Sequence, residues 1–356
     1  MKKILTAIGL MSGTSLDGID VAVIKTDGEK IHELGDCITV PYSAEIKQRI
    51  KDAIAGNADK VQYLERDLTI AHADAVKEFL ATYKQNVDII GFHGQTVYHN
   101  PQEKITWQLG NGILLSELTG IDVVCNFRGN DVAKGGQGAP LVPIFHNALV
   151  QDTEKPVAIV NIGGIANVSW IGKNNELLAF DTGAGNTLID RWVYEKSGKH
   201  FDDGGKLAEA GEVNQEVLQA YLADEFYQQK PPKSLDTIYF DMEKANHLSL
   251  EDGAATFAAL TADTIADAVR FFPEKPKKIF VAGGGRKNAI LMQMLHQNLK
   301  EYYVDEIDSA GINGDALEAY AFGFLAVRSL YQLPITYPNT TGVQKPTHGG
   351  VLCNVS

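Results

Sequence analysis

The sequence predicts an α/β protein built as two related lobes with a cleft between them, and three observations predict it. At 356 residues the chain is too long for one ordinary core and long enough for two domains of similar bulk. Short, apolar, β-rich runs alternate with longer stretches of helical period. Each half opens with a glycine-bearing strand-turn-strand unit, and the two units match in kind rather than in letter. The expected division puts 1–145 in the first lobe and 146–356 in the second, with a join near 141–155. Packing of the last helix, about 315–331, back across that join is left open.

The elements follow in order. Residues 4–10 and 19–25 (IDVAVIK) read as strands on either side of the turn Ser12-Gly13-Thr14-Ser15-Leu16-Asp17-Gly18. Gly13 and Gly18 permit backbone geometry and close approach that a Cβ forbids. Residues 61–83 are long and free of helix breakers. The strand 87–92 should deliver His93-Gly94-Gln95-Thr96 at its carboxyl end, where ligands bind in α/β sheets. Asn126-Phe127-Arg128 and Asp131 lead into the glycine-rich stretch 135–140.

The second unit begins with the strand 156–161 (PVAIVN), which runs into Ile162-Gly163-Gly164-Ile165-Ala166-Asn167. A short strand over 177–180 is expected to end at Asp181-Thr182-Gly183-Ala184-Gly185-Asn186, with a helix from near Thr187. Ser249, followed by Asp252, reads as the cap of a helix that buries Phe257, Leu260, Ile265 and Ala268. Pro273 and Pro276 stop that helix. The strand 278–282 then ends in Gly283-Gly284-Gly285, ahead of a helix carrying Leu291, Leu295 and Leu299.

Composition narrows the function classes. A 44% hydrophobic share supports a sizeable core, and a net charge of -13 argues against nucleic acid or an anionic membrane as partner. No run approaches the roughly 20 apolar residues needed to span a bilayer, and the first ten residues lack the apolar stretch of a signal peptide. Cys37, Cys125 and Cys353 are odd in number and lack metal-ligand spacing. The expectation is a reduced, cytoplasmic protein whose phosphate site is built locally.

Each candidate motif carries two readings. The loop 12–20 places two carboxylates, Asp17 and Asp20, beside amides able to wrap a phosphate and hold Mg²⁺, or it is a plain hairpin turn. Asp181, as the last residue of its strand, is placed to orient and deprotonate a nucleophile, or it caps the following turn. The triple glycine with Arg286, Lys287 and Asn288 offers backbone for a flat adenine, or serves only as a tight strand-to-helix turn. His93 is a ligand contact or a satisfied structural histidine. Arg128 offers a rigid fork for a carboxylate or phosphate, or pairs with Asp131.

Taken together, 9–20 (GLMSGTSLDGID), 93–96 (HGQT), 135–143 (GGQGAPLVP), 161–167 (NIGGIAN) and 181–186 (DTGAGN) resemble the anhydro-N-acetylmuramic acid kinase family. Further matches at 231–234 (PPKS), the triple glycine and 315–319 (DALEA) extend the resemblance over nearly the whole chain. It implies the actin-like ATPase (ribonuclease H-like) fold of the hexokinase, Hsp70 and actin superfamily, with ATP bound between two lobes. The implied reaction opens the anhydro bond of 1,6-anhydro-N-acetylmuramic acid and phosphorylates O6, giving N-acetylmuramic acid 6-phosphate in cell-wall recycling.

The resemblance makes Asp181 the catalytic base. It assigns Gly13, Thr14, Ser15, Leu16, Asp17, Gly18, Ile19, Asp20, Gly163, Gly164, Gly183, Gly283, Gly284, Gly285 and Asn288 to ATP, with Asp17 and Asp20 as candidates for Mg²⁺. On the sugar side the residues chosen are His93, Thr96, Arg128 and Glu318, with Arg128 suited to the lactyl carboxylate. The resemblance also suggests a homodimer. Competing readings are another amino-sugar or acetate-type kinase of the superfamily, and a nucleotide- and sugar-binding sensor without turnover. Two positions depart from the family pattern: Leu235-Asp236-Thr237-Ile238 replaces Thr-Gly-Arg-Glu after 231–234, and Asn126 stands where Asp precedes Phe-Arg.

Overall fold

The computed structural model describes residues 2–13, 16–57, 61–235 and 239–355. The chain forms two compact units, Met1–Gln151 with Ala316–Ser356, and Asp152–Asp315. The second unit thus ends at Asp315 rather than 356. The correction has a local cause: the helix Leu317–Leu330 packs on the first unit's sheet and brings the remaining chain with it.

In the first unit β1 (Leu5–Met11), β2 (Gly18–Thr26) and β3 (Ile31–Pro41) form an antiparallel meander. Next along the chain come β4 (Ile89–Phe92), the separate hairpin of β5 (Gln95–Asn100) and β6 (Ile105–Leu109), and β7 (Val123–Cys125). β4 lies parallel to β1 and β7 parallel to β4, so the order is β3-β2-β1-β4-β7, with the C-terminal strand Val351–Cys353 added antiparallel at the edge. The period of two decides what each face of β1 meets. Ile8 and Leu10 join a buried cluster with Leu64, Leu68, Val76 and Phe79 of the helix Val61–Thr82. Gly9, on the other face, lies against Ala319 and Gly323 of the helix Leu317–Leu330.

The second unit repeats the plan. β8 (Val157–Ile162), β9 (Ile165–Ile171) and β10 (Leu177–Ala184) form the meander, and β11 (Lys278–Ala282) and β12 (Val304–Glu306) extend the sheet in parallel, giving β10-β9-β8-β11-β12. Both units therefore share one strand order and one set of strand senses, a duplication of the kind the two glycine-bearing openings suggest. Val160, Ile162, Val168 and Phe180 form one sheet face with Ile265 of the helix Leu250–Ala268 and Leu291 and Leu295 of the helix Ala289–Asn298. Ser249 caps the first of these helices, its Oγ accepting from Asp252 N at 3.0 Å. Among the described residues no helix is long and apolar enough to cross a membrane.

One strand is longer than its sequence suggests. β10 does not stop at Phe180 but runs through Asp181 to Ala184, because Gly183 and Ala184 pair with Ala166 and Ile165 of β9. A bulge between Asp181 and Gly183 absorbs the extra residue. Asp181 is thus an interior strand residue at a bulge and not the strand's last.

Candidate active site

In the first unit the turn after β1 is closed by Leu16 N donating to Gly13 O at 3.2 Å, with Leu16 buried and left-handed at φ 57°. A non-glycine residue in that region is under backbone strain, which structures retain mostly at functional turns. Thr14 and Ser15 lie outside the described residues. Ser12 at the head of the turn is buried and donates to Gln95 Oε1, tying the turn to β5. Gly18 and Ile19 belong to β2, where a Cβ on Gly18 would sit 2.5 Å from Val40 O. Strand packing thus suffices to explain that glycine.

Asp17 is exposed, and Asp20, half-buried on β2, accepts from the Thr39 hydroxyl at 2.6 Å. Among the described residues no group of three or more His, Cys, Asp or Glu side chains could hold a metal ion. Magnesium carried on nucleotide phosphates needs only one or two carboxylates, and these two hard oxygen donors fit that requirement.

On the carboxyl side of β4, His93 is buried and packs at a tilt against Phe322, the ring centroids 4.6 Å apart. Burial, aided by the Arg128 charge, holds its imidazole well below the usual histidine range, so the ring is neutral. The hydrogen bonds assign the tautomer: Nδ1 donates to Gly94 O at 2.7 Å, and Nε2 accepts from Arg128 Nε at 3.1 Å and Nη2 at 2.9 Å. Arg128 Nη1 donates to Gly138 O at 2.7 Å. His93 therefore aims the guanidinium. Asp131 is spent on the glycine-rich stretch, accepting from Gly138 N and the Thr341 hydroxyl, both at 2.7 Å.

Thr96 on β5 accepts from Gln108 Nε2 at 3.3 Å, and Glu318 lies half-buried in the first turn of the helix Leu317–Leu330. Asn126 is left-handed at φ 54°, a conformation Asn and Asp tolerate better than other side chains, and its Oδ1 accepts from Gly129 N at 3.2 Å. The departure to Asn at this position therefore keeps the local turn.

In the second unit three glycine turns converge at the carboxyl ends of β8 and β11. Gly185 N donates to Gly164 O at 2.9 Å and Asn186 N to Gly163 O at 2.8 Å. Gly283, at φ 80°, lies against Asn161 and Ile162, where a Cβ would be 2.5 Å from Asn161 Oδ1. Gly284 is open, the nearest atom to a Cβ there being Asn186 Nδ2 at 3.9 Å, while Gly285 packs on Ile162. Arg286 locks this turn by donating to Gly283 O at 3.0 Å while paired to Asp308 and Asp315 at 2.7 and 2.8 Å. Asn288 caps the next helix, accepting from Leu291 N at 3.0 Å. Gly183 is left small by packing, since a Cβ would meet Thr264 Oγ1 at 2.9 Å and Tyr227 at 3.2 Å.

Asp181 is 7% exposed on the edge strand β10 and is gripped by the segment that follows the Pro231-Pro232 pair. Its N–H donates to Lys233 O at 3.0 Å, and its Oδ2 accepts from Leu235 N at 2.8 Å. Residues 236–238, the remainder of the other departure from the family pattern, lie outside the described residues. Lys233 is the anchor of this strap, a residue whose part the sequence hid because nothing local marks a lysine as buried. Its Nζ donates to Phe226 O at 2.9 Å and lies 4.3 Å from the ring centre of Phe226 and 5.2 Å from that of Phe271. Burial, with Arg270 adding repulsion, pushes the amine down to about 8, against the pull of Asp267 and Asp181.

The sign of that shift gives a prediction. Unfolded, Lys233 keeps its proton to about pH 10.5, and folded only to about 8. Between these values the unfolded chain holds the extra proton, so raising the pH stabilises the fold. Lys233→Met removes this contribution. The melting temperature of the natural protein, taken relative to the variant, should climb from pH 8 to 10.5 and stay level below 8. Parallel curves across that window would refute the burial of a titrating amine.

A family model described as anhydro-N-acetylmuramic acid kinase matches residues 5–354. The protein of that name from Zymomonas mobilis is 46% identical, covering 97% of this chain and 99% of that one. Its counterpart from Paramagnetospirillum magneticum is 47% identical, also over 97% and 99%. Among solved structures, component A of the (R)-2-hydroxyglutaryl-CoA dehydratase of Acidaminococcus fermentans aligns with a TM-score of 0.49 at 11% identity, covering 92% of this chain and 99% of that one. Matched by that family model over residues 5–354 and by relatives 46% and 47% identical along nearly their whole length, the chain belongs to the anhydro-N-acetylmuramic acid kinase family.

Proposed function

We propose that the protein is an ATP-dependent kinase that opens 1,6-anhydro-N-acetylmuramic acid with water and phosphorylates O6, releasing N-acetylmuramic acid 6-phosphate and ADP in peptidoglycan recycling. The observation that carries the reading is the buried Asp181 carboxylate, held at the bulge of β10 by Leu235 N in a chain of this family. A carboxylate fixed in this way is a suitable base. It takes a proton from water as the water oxygen bonds to C1, the C1–O6 bond breaks, and the O6 electron pair attacks the γ-phosphorus as its bond to ADP breaks. Coupling serves both halves, since an oxyanion at O6 is the better nucleophile for the phosphoryl group.

The remaining roles are proposed from the family resemblance and the chemistry of each side chain. Gly13, Thr14, Ser15, Leu16, Gly18 and Ile19 are assigned to the phosphates, together with Gly163 and Gly164. Gly283, Gly284, Gly285 and Asn288 are assigned to the adenosine side. Gly183 supports this part of the unit through packing. Asp17 and Asp20 would hold Mg²⁺, which neutralises phosphate charge when bound. The neutral His93 and Arg128 pair, with Thr96 and Glu318, is assigned to the sugar, where the guanidinium fork suits the lactyl carboxylate. A cytoplasmic homodimer acting on small molecules completes the reading.

The test is ADP release with the anhydro sugar against a panel of open amino sugars. Release with the anhydro sugar, yielding the 6-phosphate, is expected. Release only with an open sugar would transfer the protein to a rival kinase activity, and binding without release would make it a sensor.

A further inference from the structure

Asp181, Asn167 and Asn161 stand at one register across three neighbouring strands, Asp181 opposite Asn167 and Asn167 opposite Asn161. Directly opposed residues of antiparallel strands project from the same face, with Cβ atoms about 4.5–5.5 Å apart. The alternate residues Val160, Val168 and Phe180 fill the core on the other face, so the polar row lies on the face away from that core. Asp181 is held from the outer edge by the strap, and Asn161 lies against the Gly283 turn at the row's other end.

Asn167, in the middle, carries a buried Oδ1 with no hydrogen-bond partner among the described residues. Leaving a buried acceptor unsatisfied costs about 1–3 kcal/mol, so native structures rarely keep one without a use. An amide oxygen here can accept a hydrogen and cannot take a proton away. Its neighbour across the strand pair is the proposed base.

The geometry points to Asn167 as the residue that orients the attacking water, its Oδ1 accepting one O–H while Asp181 accepts the other. The inference rests on the reaction proposed above. With both hydrogens held, a lone pair of the water oxygen is directed away from the sheet toward C1. As that oxygen bonds to C1, one proton passes to Asp181 and the other remains on the new O1 hydroxyl, still donated to Asn167. The C1–O6 electron pair leaves with O6 and forms the bond to the γ-phosphorus. Asn167 neither gains nor loses a proton, and its contribution is direction.

Methanol separates this role from simple support of the strand, because methanol has one O–H, which Asp181 needs, and nothing to give Asn167. The full-length protein is assayed with ATP and the anhydro sugar in water–methanol mixtures, and the sugar 6-phosphate and its methyl glycoside are resolved by mass spectrometry. Asn167→Val, which suits a strand and removes the acceptor, should slow hydrolysis roughly 100-fold with nucleotide affinity unchanged. Its preference for water over methanol should fall about tenfold, the loss expected of one hydrogen bond. Asn167→Asp keeps an oxygen acceptor and should keep the water preference even where its rate falls.

An unchanged product ratio in the valine variant, or loss of the water preference in the aspartate variant, overturns the assignment. Should the valine variant not fold, the aspartate variant decides alone. Natural protein that releases no ADP with the anhydro sugar takes down the reaction and this inference together. Normal turnover with unaltered selectivity in the variants removes only Asn167.

Discussion

Asp181→Asn should reduce turnover roughly 10⁴-fold, the upper range for loss of a general base, while leaving ATP affinity close to that of the natural protein. The substitution is nearly isosteric, and the position is 7% exposed, so little room is gained or lost. The Asp181 N–H bond to Lys233 O involves backbone alone and persists. Leu235 N still finds an acceptor, because the amide oxygen of Asn replaces Oδ2. What disappears is the ability to receive a proton. Steady-state ADP release and calorimetric titration of ATP measure the two halves separately. Near-natural turnover would remove Asp181 from the chemistry, and a parallel loss of ATP affinity would make it a binding residue instead.

The strand and turn plan was legible because its causes are local. Apolar runs of five to seven residues beside glycine-bearing turns marked β1, β2, β8 and β11, and Ser249 with Asp252 marked a helix start that the hydrogen bond confirms. The repeated strand order was legible only as a resemblance of turns, since pairing is not local. The same limit explains the misjudged end of β10: the reading stopped at the first Asp-Thr-Gly, and only β9 alongside carries the strand on to Ala184.

The site was legible by halves. Asp181, His93 and Arg128 stood out by type and by position after a strand. The neighbours of Asp181 did not, since Lys233 and Asn167 come beside it only through the strap and the sheet register. One signal for Asn167 was available. An amide side chain in β9, a strand apolar but for Asn167 and Ser169, spaced from its turn as Asp181 is across the pair, asks for a partner in the sheet. Gly183, read as part of a phosphate turn, turned out to be constrained by Thr264 and Tyr227, a contact that no turn pattern can announce.

Gly9→Ala should destabilise the protein by upwards of about 4 kcal/mol, at the exceptional end for one substitution and a large share of the 5–15 kcal/mol that holds a typical domain folded. A methyl group at Gly9 would lie 1.7 Å from Ala319 O and 2.5 Å from Gly323 N. Both are backbone atoms, so no rotamer change relieves the clash, and the helix Leu317–Leu330 must lift from the sheet. Gly91 on β4 makes the same approach, 2.1 Å from Phe322 O, so the helix is seated at two adjacent strands and cannot pivot away from one alone. That seating is also why the chain beyond Ala316 belongs with the first unit, since close backbone contact is available only where both strands present glycine. Gly120→Ala is the control: it is left-handed at φ 72° with nothing within 4 Å, so it should cost only about 1 kcal/mol, from backbone strain. Urea denaturation of the two variants compares them directly. If Gly9→Ala proved no worse than Gly120→Ala, the helix could not lie as close to β1 as this packing requires, and the placement of the C-terminal chain on the first sheet would fall with it.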